Sequence, residues 1–495
     1  MIEQLFLALP MAIIVIGAFI LLLLSHSKRF NLDRLNLIAV FFLVLSFLLQ
    51  LAVFENQNSK YLFEAIFGDT FILDEFSKIF DFMFTVGAIL TLLINHDYFK
   101  SRHYFNGEYF ALILFSVFGM MMLSHAHELV TAFIGLEIAS LSIYALVGYH
   151  KNNRVSSEAM LKYMVLGSMT GGFFILGTAM IYGVVGSTHL NEIAMFVSGK
   201  EISELTLLIV GASFISITIM FKIGAVPFHS WVVDVYHGAP YPITMFMAST
   251  FKIAIFAIAL RLYIVNFSQI NIFWSEMLQV ITILTLLGGS WLAISQTLVK
   301  RMLAGSSIVH SGYLLIGISS LGLGSEVAGS AIMFYLIAYF ISSVGSFGIL
   351  SFMASQSKRQ MRYEDFKGFA SRRPYMALMM SIFMLSLAGF PSTIGFLGKF
   401  YIFSSAIESG QILLAGLGIL TAFISVYYYF KLIAMMYFYE SDEEQKKLPI
   451  DISTILIFAM ALIVIWGGIG TSLIPFIPGA DGLIDIAKEA INSLS

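Results

Sequence analysis

The chain has 495 residues, 59% of them hydrophobic and 12% charged; soluble domains carry about 25% charged residues, so a soluble fold would leave too much apolar surface uncovered, and the bilayer is the natural solvent. A net charge of −3 identifies no partner, and no basic tract suggests nucleic acid. With no cysteine, disulfides, iron–sulfur clusters and thiolate metal sites are excluded from this chain, and the ten scattered histidines form no HExxH or other metal pattern.

A spanning helix needs about 20 mostly apolar residues. The first such run, Leu5 to Leu24, lacks a basic leader and a small-residue cleavage site, and reads as a retained helix. Apolar stretches follow one another at 4–25, 35–54, 76–96, 109–124, 127–149, 160–186, 204–223, 241–265, 273–296, 301–322, 327–354, 375–406, 411–438 and 453–475. The sequence therefore predicts an all-α polytopic membrane protein of about fourteen transmembrane helices. Only His125 and Ala126 separate the fourth stretch from the fifth. Basic residues gather in the odd-numbered loops: Lys28, Arg29 and Arg34; Lys100 and Arg102; Lys151 and Arg154; Lys300 and Arg301; Lys358, Arg359, Arg362, Lys367, Arg372 and Arg373; Lys446 and Lys447. The even loops hold little beyond Lys60 and Lys200. By the positive-inside rule both termini are expected outside the cytoplasm. No extramembrane segment is long enough to hold a nucleotide or redox cofactor.

Ionisable groups within the hydrocarbon are costly and usually mark ion pathways. Along the chain these are Glu137, Lys162, Lys222, Lys252, His310 and Lys399. Lys162 lies about one turn inside its helix, and the plainer reading is that it snorkels to the interface. His310 has the alternative of a hydrogen-bonded core residue. Two lysines stand beside helix breakers: Lys222 before Gly224 and Pro227, and Lys399 after Gly389, Pro391, Gly395 and Gly398. A proline removes a donor and kinks or breaks a helix. Transporters place ion sites at such breaks, although simple proline kinks are common in membranes. The steps from Glu137 to His310 (310 − 137 = 173) and from Lys222 to Lys399 (399 − 222 = 177) are similar. They suggest two inverted five-helix units at 109–265 and 273–438, with three helices at 1–108 before them and one at 453–475 after.

A lysine desolvated in a helix bundle releases its proton more readily, and a nearby carboxylate opposes that. Movement of Glu137 relative to a lysine would switch the lysine between holding and releasing a proton. His310 suits a relay because imidazole titrates near neutrality, and Ser306, Ser307 and Tyr313 supply further hydroxyls.

The motifs around these residues resemble the antiporter-like membrane subunits of respiratory complex I, bacterial NADH–quinone oxidoreductase. They are LEIASLSIYALV with Glu137, KIGAVPFHSWVVDVYHGAP with Lys222, ASTFKIA with Lys252, KRMLAGSSIVHSGY with His310 and GFPSTIGFLGKFYIF with Lys399. The resemblance covers nearly the whole chain, most strongly 127–404. It implies broken helices 7 and 12, an interacting Glu137–Lys222 pair, and roles in proton translocation for Lys162, Lys252 and Lys399. It also implies a bacterial inner-membrane location, with flavin, iron–sulfur clusters and quinone held by partner subunits. One branch of the family adds a long lateral helix, which the short segment after 475 does not suggest. Another has Glu where Lys399 stands. The competing readings are a subunit of an Mrp-type cation/proton antiporter or membrane-bound hydrogenase, and a purely structural membrane subunit.

Overall fold

In a bilayer every backbone N–H and C=O must be paired within the protein, which leaves helices as the spanning element for apolar runs of this length. The computed structural model describes residues 2–27, 29–54, 60–62, 68–198, 200–267, 270–356, 360–440, 451–470 and 478–494. Lys28, Lys358, Arg359, Lys446, Lys447 and the end of the last predicted span lie outside the described residues.

The first two helices are α1 (Ile2–Ser25) and α2 (Leu32–Phe54). A short antiparallel ladder of β1 (Lys60–Leu62) and β2 (Ile72–Asp74) leads into α3 (Glu75–Ile94), which Asp74 and Ser77 cap reciprocally. Next come α4 (Gly107–Ser124), α5 (Leu129–Val147), α6 (Arg154–Val185), α7 (Thr206–Ile223) and the short α8 (Val232–Gly238). Then follow α9 (Tyr241–Asn266), which contains π-helical turns, α10 (Asn271–Ile294), α11 (Val299–Gly322) and α12 (Ala328–Gln356). The chain continues through α13 (Pro374–Ala388), α14 (Ile394–Glu408), α15 (Ile412–Phe438) and α16 (Ile452–Ile469), and ends in an amphipathic α17 (Ala480–Asn492). Among the described residues, thirteen helices are long and apolar enough to cross a membrane. The predicted stretches match them closely, with two differences. The run expected at 375–406 is two helices, α13 and α14, and α17 was not foreseen because its polar face interrupts the apolar run.

Helices α9 and α11 are buried on all sides and α12 nearly so, and they form the centre of the protein. The peripheral helices turn large apolar side chains outward, among them Phe19, Phe41, Val165, Trp291, Phe423 and Phe458. An apolar exterior around a core rich in Ser, Tyr, Lys and His is what a lipid solvent selects.

The two interruptions are built alike. α7 ends at Gly224 with φ +74°, and Gly224 and Ala225 N–H donate back to the Phe221 and Met220 carbonyls. α13 ends at Gly389 with φ +84°, and Gly389 and Phe390 N–H donate to the Ser386 and Leu385 carbonyls. Both are Schellman endings, which need a left-handed residue that glycine adopts without strain. The capping glycines are 389 − 224 = 165 residues apart. The 177-residue step between Lys222 and Lys399 therefore does not join equivalent positions: Lys222 lies in the last turn before its break, and Lys399 in the helix that follows the other.

Candidate functional site

The end of a helix leaves carbonyls without intrahelical partners, and in a membrane interior something must serve them. At the α7 ending the donors are neutral: Trp231 Nε1 reaches the Phe221 carbonyl at 3.0 Å and Ser311 Oγ reaches that of Ile223 at 2.8 Å. Lys222 is thus left to turn towards α5, where its Nζ donates to Ser140 Oγ at 2.7 Å and Tyr144 OH at 2.9 Å.

At the α13 ending the donor is a cation. Lys399 Nζ, carried back by α14, donates to the Leu387 and Ala388 carbonyls at 2.8 and 2.9 Å. This places a positive charge at the negative end of a helix dipole. Thr393 starts α14 by accepting from Phe396 N–H, which fixes where Lys399 emerges one turn on. The ammonium also lies 4.9 Å from the centre of the Tyr313 ring.

Between these two sites run Lys252 and His310. Lys252 Nζ donates to the Ser307 carbonyl at 2.7 Å, to Ser311 Oγ at 3.0 Å and to Ser307 Oγ. Ser311 is shared with the α7 ending, so it joins the surroundings of Lys222 and Lys252. His310 has Tyr335 OH 2.5 Å from Nδ1 and Tyr429 OH 3.1 Å from Nε2, and Tyr429 also meets Ser306. The Tyr339 ring is 5.5 Å from Lys252 Nζ and 4.9 Å from the His310 ring. All four groups are buried, at 2–4% exposure.

Among the described residues, no carboxylate forms an ion pair with any of the three lysines. Each instead has two or more neutral acceptors. An ammonium carries three N–H donors and a neutral amine two, so two hydrogen bonds can persist when a proton leaves. The arrangement can change charge without dismantling its geometry.

Glu137 and Lys162 are placed differently. Glu137 is only partly buried and makes no ion pair with Lys222. Its Oε1 faces Gly171 of α6 and has no hydrogen-bond partner among the described residues. The link to Lys222 runs along α5, since Ser140 and Tyr144 lie three and seven residues beyond Glu137 on one face. Lys162 is 43% exposed and pairs with Glu158 at 2.8 Å and Asp234 at 3.0 Å, and Asp234 also meets Arg301 at 3.3 Å. It stands outside the buried line, in the outward position that snorkelling describes.

Sequence reading missed the tyrosines that hold the line, Tyr144, Tyr335 and Tyr429, because tyrosine is ordinary in apolar helices. It also passed over Asp81, His125 and Arg261. Arg261 and Asp81 lie within predicted spans, so the rule applied to the lysines would have found them.

The family described as NADH:quinone oxidoreductase/Mrp antiporter, TM, matches residues 126–425, which contain Lys222, Lys252, His310 and Lys399. The NADH-quinone oxidoreductase subunit N of Trichlorobacter lovleyi is 39% identical over 426 residues, 86% of this chain and 85% of that one. A chain of Thermus thermophilus respiratory complex I superposes with a TM-score of 0.76 at 26% identity, covering 93% of this chain and 96% of its own. A chain of the Mrp complex from Dietzia superposes with a TM-score of 0.85 at 19% identity, over 100% and 98%, and so shares the fold. The helical membrane fold, the matched region and the identity over most of both chains agree: this chain belongs to the NADH-quinone oxidoreductase subunit N family.

Proposed function

We propose that the chain translocates protons as an antiporter-like subunit in the membrane arm of a respiratory complex I. The observation that carries this reading is the buried succession Lys222, Ser311, Lys252, His310 and Lys399, in which hydroxyls and carbonyls answer every charge. Subunit identity adds the driving force. Electrons pass through flavin and iron–sulfur clusters to quinone in partner subunits, and this chain responds with protons alone.

Counting α13 and α14 as one interrupted crossing gives fourteen helices. On that count 1–108 is an N-terminal three-helix segment, 109–265 and 273–438 are inverted five-helix units, and 453–475 is the last crossing. The charges of the basic loops support a reading in which both termini lie on the periplasmic side of the inner membrane. Glu137 acts on Lys222 by charge through Ser140 and Tyr144, and Lys162 adjusts the field from the outer face. The Mrp antiporter reading rests on likeness of fold at 19% identity, whereas the subunit N reading rests on 39% over most of both chains.

The test is a tag on this chain, mild-detergent purification and mass spectrometry, followed by proton-transport assays in liposomes. Flavin and iron–sulfur subunits are expected to co-purify. Lys222→Ala is expected to assemble and lose coupled transport. Small membrane subunits without redox proteins would overturn the complex I assignment, and wild-type transport by Lys222→Ala would overturn the assigned role.

A further inference from the structure

A second set of buried charges lies away from the lysine line, where α3, the α4–α5 junction and the far end of α9 meet. Arg261 grips Asp74 with both nitrogens, at 2.9 and 3.0 Å, and donates to the Ser124 carbonyl at 3.1 and 2.8 Å. The Ser124 hydroxyl donates to Asp81 Oδ1 at 3.0 Å, and Asp81 Oδ2 lies 2.7 Å from His125 Nε2. The two carboxylates differ in one respect. Asp74 is answered by a guanidinium that stays charged. Among the described residues the ion-pair partner of Asp81 is a histidine, a side chain that can be neutral or charged. With neutral imidazole the pair is a buried net negative charge, which is costly, and one added proton cancels it.

The pair also has access. His125 Nδ1 is buried and has no hydrogen-bond partner among the described residues, and the same is true of Gln50 Oε1. Both residues line a narrow pocket of about 10 Å³ between α1, α2 and α3, together with Asp81, about the room one water needs. Its other walls include Leu7, Val53 and Leu73, which form an apolar cluster separate from the main core. An unpaired imidazole nitrogen and an unpaired amide oxygen facing one small cavity are what a bound water needs.

We propose that Asp81 and His125 form a proton-exchange site that opens through this pocket to the membrane face opposite the basic loops. The purpose of the site, as an outer port, rests on the proton-translocation reading above. Release moves one proton from His125 Nδ1 to pocket water and leaves the hydrogen bond between Nε2 and Asp81 intact; uptake reverses it. The other charged and titratable neighbours are Asp74 with Arg261, Glu75 with Lys78 at 2.9 Å, and His127 on the same junction. The first four are paired with opposite charges, and His125 is the histidine that both touches Asp81 and faces the pocket. Arg261 stands nine residues beyond Lys252 on α9, about 13 Å at 1.5 Å per residue. It keeps the port and the lysine line on one helix.

The experiment uses the intact complex in sealed vesicles, with the outer-face pH varied from 5 to 8 and the other face held constant. Turnover and proton transport are read together. Wild type is expected to change severalfold across this range, and His125→Gln to be flat. Val53→Leu, which narrows the pocket while leaving every titratable residue in place, is expected to slow coupled transport severalfold and to recover electron transfer with an uncoupler. It decides the matter if His125→Gln does not assemble. A wild-type pH response and proton yield in either variant overturns the site. Lys222→Ala in the same vesicles reports on the translocation reading separately, because its failure would leave the outer pH response of wild type unexplained by any port.

Discussion

Lys399 allows the proton-carrying and structural contributions of one residue to be separated. Its ammonium serves the last two carbonyls of α13, Leu387 and Ala388, in a site 4% exposed. Lys399→Met keeps the length and apolar stem of the side chain but removes every donor. An orphaned buried carbonyl costs about 1–3 kcal/mol, so two cost about 2–6 kcal/mol at most, less whatever α13 recovers by shifting its last turn. Lys399→Arg behaves differently. The guanidinium can serve both carbonyls, yet it never deprotonates under ordinary conditions, so the neutral state that a carrier must visit is lost. The assay is thermal unfolding of the purified complex, followed by quinone reduction and proton transport in liposomes. Lys399→Met is expected to unfold at lower temperature and to transport poorly. Lys399→Arg is expected to retain most of the stability and to lose transport. Wild-type proton yield in Lys399→Arg would refute the argument, because it would mean that no proton leaves this nitrogen during turnover.

Two further outcomes are expected. A Cβ added at Gly171 would sit 2.8 Å from Glu137 Oε1, whereas one added at Gly172 meets nothing within 4 Å; Gly171→Ala is therefore expected to lower coupled turnover severalfold while Gly172→Ala leaves it unchanged, checked in the same liposome assay. Arg261→Met leaves Asp74 buried at 0% exposure without its cation, and breaking a buried pair costs about 3–5 kcal/mol. The expected result is a loss of assembled complex on native gels, partly restored when Asp74→Asn is added.

Much of the architecture follows from the chain alone. Runs of about 20 apolar residues can only be helices in lipid, so the ends of nearly every span were legible to within a few residues. The exceptions have physical causes. Gly389 and Pro391 end one helix inside an apolar run that hydropathy reads as continuous, and α17 is amphipathic, so its apolar face is diluted by Asp481, Asp485 and Lys488. The buried lysines and His310 were legible because a charge in an apolar run has few innocent explanations. Their partners were not. That Lys222 turns to Ser140 and Tyr144, that Lys399 serves a helix end, and that Glu137 meets Gly171 before any lysine are facts of helix packing over separations of 11 to 82 residues. The sequence thus determined the solvent, the helices and the titratable groups within them, since those depend on local composition. Only the tertiary structure decided which groups touch, because hydrogen bonds reach about 3 Å and no pattern along the chain specifies a distance across it.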